Sequence, residues 1–189
     1  MTDLIYAGVG ARRSPSHILE SMTKLAYQMS QNGWHLRSGF ADGADKAFGL
    51  GAAQHSDETG DSSNWTMYLP WSGFNNAPKD DPCFQTLLSA KPLVEIAEAC
   101  HPAWDVLTNA DRLLMLRNVA VVGGPTLDTP AACVIGWTPN AKGSGGTGHT
   151  FKVAKLLKIP VFDLASDYDQ RAAVEFVNGY QELIAPIPF

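Results

Sequence analysis

The chain has 189 residues, 45% of them apolar and 17% charged, which suits one globular domain with a sizeable core. Its formal charge of −5 argues against a broad electrostatic grip on nucleic acid, which needs many Lys or Arg contacts to phosphate, and leaves room only for a local basic pocket. No stretch approaches the roughly 18 apolar residues of a membrane span, and Cys83, Cys100 and Cys133 lack the spacing of a disulfide framework or a thiolate metal site.

The chain opens on Met1-Thr2-Asp3-Leu4 with no basic leader region, so a cytoplasmic protein is expected. Leu4 to Val9 reads as a short buried strand. Ser14-Pro15 supplies an N-cap and a proline at the first helical position. Ile18, Met22, Leu25 and Met29 then form one apolar face, and Asn32-Gly33 ends the helix. Trp34 to Arg37 is a second strand, followed by a helix whose face of Ala44, Ala47, Phe48, Gly51 and Ala52 allows close approach to a sheet. His55 to Asn64 is polar and acidic and reads as an exposed loop.

Trp65 to Leu69 is a third strand. The turn-rich stretch 71–82 reads as a lid or insertion. Two helices are expected next, Phe84 to Cys100 and Ala103 to Val121. Ala131 to Trp137 is a continuous apolar run suited to a central parallel strand. A glycine-rich turn leads into a helix carrying Phe151, Ala154, Leu156 and Leu157. A short strand within Lys158–Leu164 and a helix over Asp167–Tyr180 close the chain. This alternation predicts an α/β fold: a Rossmann-like, doubly wound, mostly parallel sheet of about five to seven strands, with helices on both faces. Residues 1–189 are expected to form one such domain.

In an open α/β sheet, ligands bind beyond the carboxyl ends of the strands, where strand order reverses. Three glycine-bearing junctions follow strands here: Gly8-Val9-Gly10-Ala11-Arg12-Arg13, Ser38-Gly39-Phe40-Ala41-Asp42-Gly43-Ala44-Asp45, and Gly143-Ser144-Gly145-Gly146-Thr147-Gly148. Glycine lets the backbone come close to a ligand, and free N–H groups at a helix start favour an anion. Arg12 and Arg13 add charge matched to phosphate geometry. A phosphorylated ligand is therefore expected. The Gly-x4-Gly-Lys-Ser/Thr loop is absent, and Arg13 stands where Gly-x-Gly-x-x-Gly would place its third glycine. Ordinary ATPase and dinucleotide dehydrogenase readings lose ground accordingly.

These junctions, with Arg117-Asn118 in a middle helix and "GGTGHTFKVAKLLKIPVFDL" near the end, resemble the SLOG superfamily over roughly Leu4 to Asp163. That group of Rossmann-like proteins includes the DNA-processing protein A (DprA) family and the Lonely Guy (LOG) phosphoribohydrolases. The resemblance implies a nucleotide pocket shaped by Ser38, Gly39, Gly43 and Asp45 together with Gly8, Gly10, Arg12, Gly145, Gly146 and Thr147. Asp42 and Asp45 would accept hydrogen bonds from ribose hydroxyls. The LOG side of the group implies N-glycosidic hydrolysis of a nucleoside 5′-monophosphate, while the DprA side implies single-stranded DNA binding and recombination mediation.

Members commonly pair, and the Phe84 to Val121 region offers a surface for a homo-oligomer. LOG enzymes carry a catalytic glutamate shortly after their glycine-rich turn. The segment Gly145 to Lys152 has no acid, so any chemistry would fall to Asp45, His149 and Arg117.

Asp42 serves equally as a helix cap and Asp45 as a complement to the helix dipole. His149 is either a phosphate or acid–base partner or an exposed helix-start residue. Trp71 and Trp137 either stack on a base or pack. Arg112 and Arg117 either reach the pocket or are solvated. A purely structural, partner-binding module is the weakest reading, because it leaves the three junctions without an occupant. His17, His35, His55 and His101 lack ligand spacing, so no metal or cofactor is expected.

Overall fold

The structure, a computed structural model, describes residues 4–184, with side chains to residue 179; Met1, Thr2 and Asp3, on which the reading of the N-terminus rests, lie outside the described residues. The described residues form six strands and six α-helices, in the order β1 (Ile5–Gly8), α1 (Ser16–Gln31), β2 (His35–Ser38), α2 (Ala44–Thr59), β3 (Trp65–Leu69), β4 (Phe84–Thr86), α3 (Lys91–Cys100), α4 (Asn109–Gly123), β5 (Cys133–Gly136), α5 (Gly145–Leu156), β6 (Val161–Asp163) and α6 (Asp167–Ile184). The strands form one all-parallel sheet in the order β4-β3-β2-β1-β5-β6. The chain winds outward from β1 to β4, then returns to lay β5 on the other side of β1. That reversal opens a crevice at the carboxyl ends of β1 and β5. The expected Rossmann-like α/β fold is the one that forms.

Alternation along β1 divides the core. Tyr6 joins Met22, Met29, Trp34, Leu36, Phe48 and Met67 under α1 and α2, where α6 adds Ala173. Ile5 and Ala7 face the opposite layer, with Leu93, Val119, Ala120, Val134 and Val153 under α3, α4 and α5. Both faces of the sheet are covered, which accounts for the unbroken apolar run at β5. Among the described residues, no helix is long and apolar enough to cross a membrane.

Several expected boundaries move, each for a tertiary reason. The polar stretch from His55 continues α2 to Thr59. Buried Ser56 donates to Asn64 Oδ1 at 2.9 Å and accepts from Trp65 Nε1 at 3.0 Å, while the Glu58 carboxylate accepts from Tyr27 at 2.6 Å. The acidic residues there occupy the solvent side of a helix that ends at left-handed Gly60. Phe84 begins a strand rather than a helix, because its ring packs edge-on against Phe40 and Trp65 and draws 84–86 onto β3.

The helix expected from Phe84 therefore starts only at Lys91, with Pro92 in its first turn. Likewise α4 starts at Asn109, not Ala103, where Thr108 accepts the Asp111 N–H at 3.2 Å. Ser14 does not cap α1, because its hydroxyl donates to the Ala11 carbonyl at 2.8 Å. In the 71–82 stretch, Phe74 and Ala77 are buried against Leu69 and touch Phe40 and Leu114.

Candidate functional site

The reversal point holds a cavity of about 380 Å³. Its walls come from the β1–α1 junction (Val9, Gly10, Arg12), the start of α2 (Asp45), the middle of α4 (Leu114, Met115, Arg117, Asn118) and the first turn of α5 (Gly145, Gly146, Thr147). Thus seven of the residues expected from sequence converge here, although they come from four separate segments.

An ion pair forms one wall. Arg117 Nη1 lies 2.8 Å from Asp45 Oδ2, with both side chains under a tenth exposed. The Ala41 N–H also donates to Asp45 Oδ2, at 3.2 Å. Burial pushes the Asp45 carboxyl above its usual range, while Arg117 and the amides of Ala41 and Gly10 pull the other way. The Arg117 Nε–H is buried and has no partner among the described residues. This guanidinium therefore keeps donor capacity beyond the Asp45 bond.

The opposite wall is a helix start. The first backbone bond of α5 runs from Gly148 N–H to the Ser144 carbonyl at 3.0 Å, and among the described residues no side chain caps the helix. The amides of Gly145, Gly146 and Thr147 are left for another acceptor. Asn118 Nδ2 donates to the Gly146 carbonyl at 3.2 Å, tying α4 to this turn. The loop entering it is shaped by Asp163. That carboxylate accepts the Thr138 N–H at 3.0 Å and the Thr138 hydroxyl, and Thr138 Oγ1 accepts the Gly143 N–H at 3.0 Å. Arg12 lines the cavity and is exposed; among the described residues it makes no ion pair.

The junction glycines divide by what a β carbon would meet. At Gly145 and Gly146 it would meet nothing within 4 Å. At Gly39 it would sit 1.3 Å from Arg117 Nη1, so this glycine seats the arginine. At Gly8 it would strike Phe48 and Leu36, and at Gly10 Ala44. Gly43, at φ +82°, abuts the Ala11 and Arg12 carbonyls. Gly8, Gly39 and Gly43 thus serve packing and do not line the cavity.

Neither do Ser38 and Asp42. Ser38 is fully buried and donates to the Gly8 carbonyl at 2.6 Å. Asp42 is exposed and pairs with Lys46 at 2.7 Å, and Gly43 rather than Asp42 occupies the N-cap. Arg112 lies over Trp104 and donates to the Trp104 and Asp105 carbonyls. Trp71 packs against Phe74, and Trp137 against the α1–α2 side of the core. Asn118, Leu114, Met115 and the Thr138–Asp163 pair were missed as site residues. The Arg-Asn dipeptide and the i, i+3 spacing of Leu114 and Arg117 were the available signals.

His149 is buried behind the site rather than exposed in it. Nε2 donates to the Ala97 carbonyl at 3.2 Å, leaving Nδ1 to face Asn118 Nδ2 at 3.5 Å. Burial, with the nearby His101 and Lys152, lowers its pKa to about 4 against the partial opposition of Ala97. The unfolded chain takes up this proton near pH 6.5 and the folded chain only near 4. Stability should therefore fall as the pH drops through that window, by about 3 kcal/mol in all. Urea unfolding at stepped pH should show the loss in the wild type and a flatter profile for His149→Gln.

A second cavity, of about 300 Å³ between α1 and α6, is lined by Ile18, Leu25, Ala173 and Val177 with the polar Ser21, Gln28, Asn32 and Gln170, and among the described residues by no charged side chain.

No protein-family model matches the chain, and no curated protein matches it. Among solved structures, it is similar to DNA processing protein A from Helicobacter pylori, a protein described for its mode of binding single-stranded DNA. The match has a TM-score of 0.59 and 17% identity, and it covers 97% of this chain and 80% of the other. The likeness is one of fold.

Proposed function

We propose that this chain binds a phosphorylated ligand of nucleotide type in the cavity at the β1–β5 reversal. The observation that carries the reading is the start of α5, uncapped among the described residues, which shares its cavity with the exposed Arg12 and the buried guanidinium of Arg117. Backbone amides, the helix dipole and an arginine fork together suit a phosphate. Leu114, Met115 and Pro139 supply an apolar wall for a base or sugar. The SLOG resemblance of the three junctions supports the same ligand class.

Binding without turnover fits the residues better than N-glycosidic hydrolysis. The carboxylate in the cavity is held by Arg117 and Ala41, and the first turns of α5 carry no acid. Cleavage through an oxocarbenium-like state wants a carboxylate near the anomeric carbon, so Asp45 would first have to leave its partner.

A second reading, single-stranded DNA binding, is favoured by the H. pylori likeness. Against it stand the charge of −5 and the need of such sites for a positive groove with stacking aromatics.

A thermal-shift screen of nucleoside mono- and diphosphates, cyclic nucleotides, ADP-ribose derivatives and a short oligothymidylate separates these readings. Stabilisation by a mononucleotide, with no base released on chromatography, is expected. Released base would add hydrolysis and make Asp45 its agent. Stabilisation by the oligonucleotide alone, falling steeply with salt, would favour the DNA reading. Arg12→Ala should weaken the mononucleotide by about tenfold or more, the worth of one charge-assisted hydrogen bond. An undiminished shift in that variant removes Arg12 from the phosphate site.

A further inference from the structure

We infer that Asn75 and Phe40, neither of which lines the cavity, are positioning residues for the Asp45–Arg117 pair, and that the 73–77 segment sets the geometry of the site through them. Phe40 sits between two residues that address the pair directly. On one side, Gly39 leaves the space that Arg117 Nη1 fills. On the other, the Ala41 N–H donates to Asp45 Oδ2 at 3.2 Å. To join them, Phe40 adopts φ +58°, a conformation that a bulky residue holds only when its surroundings impose it.

Its surroundings impose it here. Asn75 Nδ2 donates to the Phe40 carbonyl at 3.1 Å. The Phe40 ring packs against Phe84 at 4.8 Å and beneath Lys46 Nζ at 5.0 Å, and it also touches the cluster formed by Phe74 and Ala77. Asn75 and Asn76 are themselves at φ +50° and +60°, a conformation asparagine tolerates better than most residues. Leu114 belongs both to that cluster and to the cavity wall. The segment thus meets the site at two places, through the Phe40 backbone and through Leu114.

Asn75→Asp tests this without altering the left-handed backbone, since aspartate tolerates it but cannot donate to the Phe40 carbonyl. The primary readout needs no ligand: the side-chain Nε–H NMR resonance of Arg117, which is buried and so slow to exchange. The variant should shift or broaden that resonance and speed its exchange with solvent. An unmoved resonance overturns the inference, even if the melting temperature falls, because lost packing alone would do that. The second readout rests on the nucleotide reading: affinity for 5′-AMP should fall by about three- to tenfold, the worth of one hydrogen bond, and an unchanged affinity overturns the role in binding.

A wild type that ignores 5′-AMP and every other phosphate probe counts against the proposed function, while the Arg117 resonance still decides the positioning. If Asn75→Asp does not fold, Phe40→Gly and Phe40→Ala replace it. Glycine takes φ +58° freely and should keep the resonance closer to wild type than alanine does. Equal behaviour of the two overturns the inference.

Discussion

Replacing Arg117 with methionine is expected to cost about 3–5 kcal/mol of folding free energy, the usual result of stripping one partner from a buried ion pair. The stem of methionine fills much of the same space, so the loss is chiefly electrostatic. Asp45, under a tenth exposed, would keep the Ala41 N–H but lose its cation. Its carboxyl, already raised by burial, would rise further and favour the protonated form. The variant should therefore be least impaired in acid and lose ground as the pH rises through and above the carboxylate range. The wild type, with its pair intact, should show a smaller dependence from this group.

Adding Asp45→Leu to Arg117→Met should recover most of the loss, because removing both charges is often neutral. The double variant should still fail to respond to ligand. Gly39→Ala provides an independent route to the same defect, since its β carbon would sit 1.3 Å from Nη1 and expel the arginine. Urea denaturation across pH reads all four proteins. A cost below about 1 kcal/mol for Arg117→Met would mean the pair behaves as an exposed one.

Gly146→Asp is expected to separate stability from binding. A β carbon at Gly146 meets nothing within 4 Å, and the residue lies in the first turn of α5, where a carboxylate is favourable to the helix dipole. The variant should melt at or above the wild-type temperature, with a gain of about 0.3–1 kcal/mol. It should nevertheless lose the mononucleotide response, because its own carboxylate occupies the amides that the phosphate needs and repels a second anion. Gly148→Ala provides the contrast. Its β carbon would lie 1.9 Å from the Gly143 carbonyl, so stability and binding should fall together. If Gly146→Asp binds the mononucleotide as well as wild type does, the phosphate does not sit on this helix.

Much of the fold was legible because the buried strands are short apolar runs closed by turn residues. Trp65 to Leu69, stopped by Pro70, falls where the pattern places it. Phe84–Thr86 was not legible as a strand. Three residues carry too little periodicity, and what makes them one is a pair of aromatic contacts to Phe40 and Trp65. The end of α2 was hidden for a similar reason, since the bonds around Ser56 join residues eight and nine positions apart.

For the site, the junctions pointed to the carboxyl end of the sheet, where the cavity lies, but not to the role of each glycine. A glycine that borders open space and one that admits a neighbouring guanidinium look alike in sequence. Gly146 and Gly39 are that pair here. Asp45 and Arg117 lie 72 positions apart, and only the crossing of α4 behind the sheet brings them together. His149 was misjudged because its place in a first helical turn says nothing about α3, whose Ala97 carbonyl covers it.

An amide NMR titration with a nucleoside 5′-monophosphate reads directly where the ligand sits. The largest shifts are expected at Gly145, Gly146 and Thr147 and at the Arg117 side chain, with the α1–α6 groove unaffected. Shifts concentrated instead on Ile18, Leu25, Ala173 and Val177 would place the ligand in that groove and contradict the assignment of the α5 start as its phosphate site.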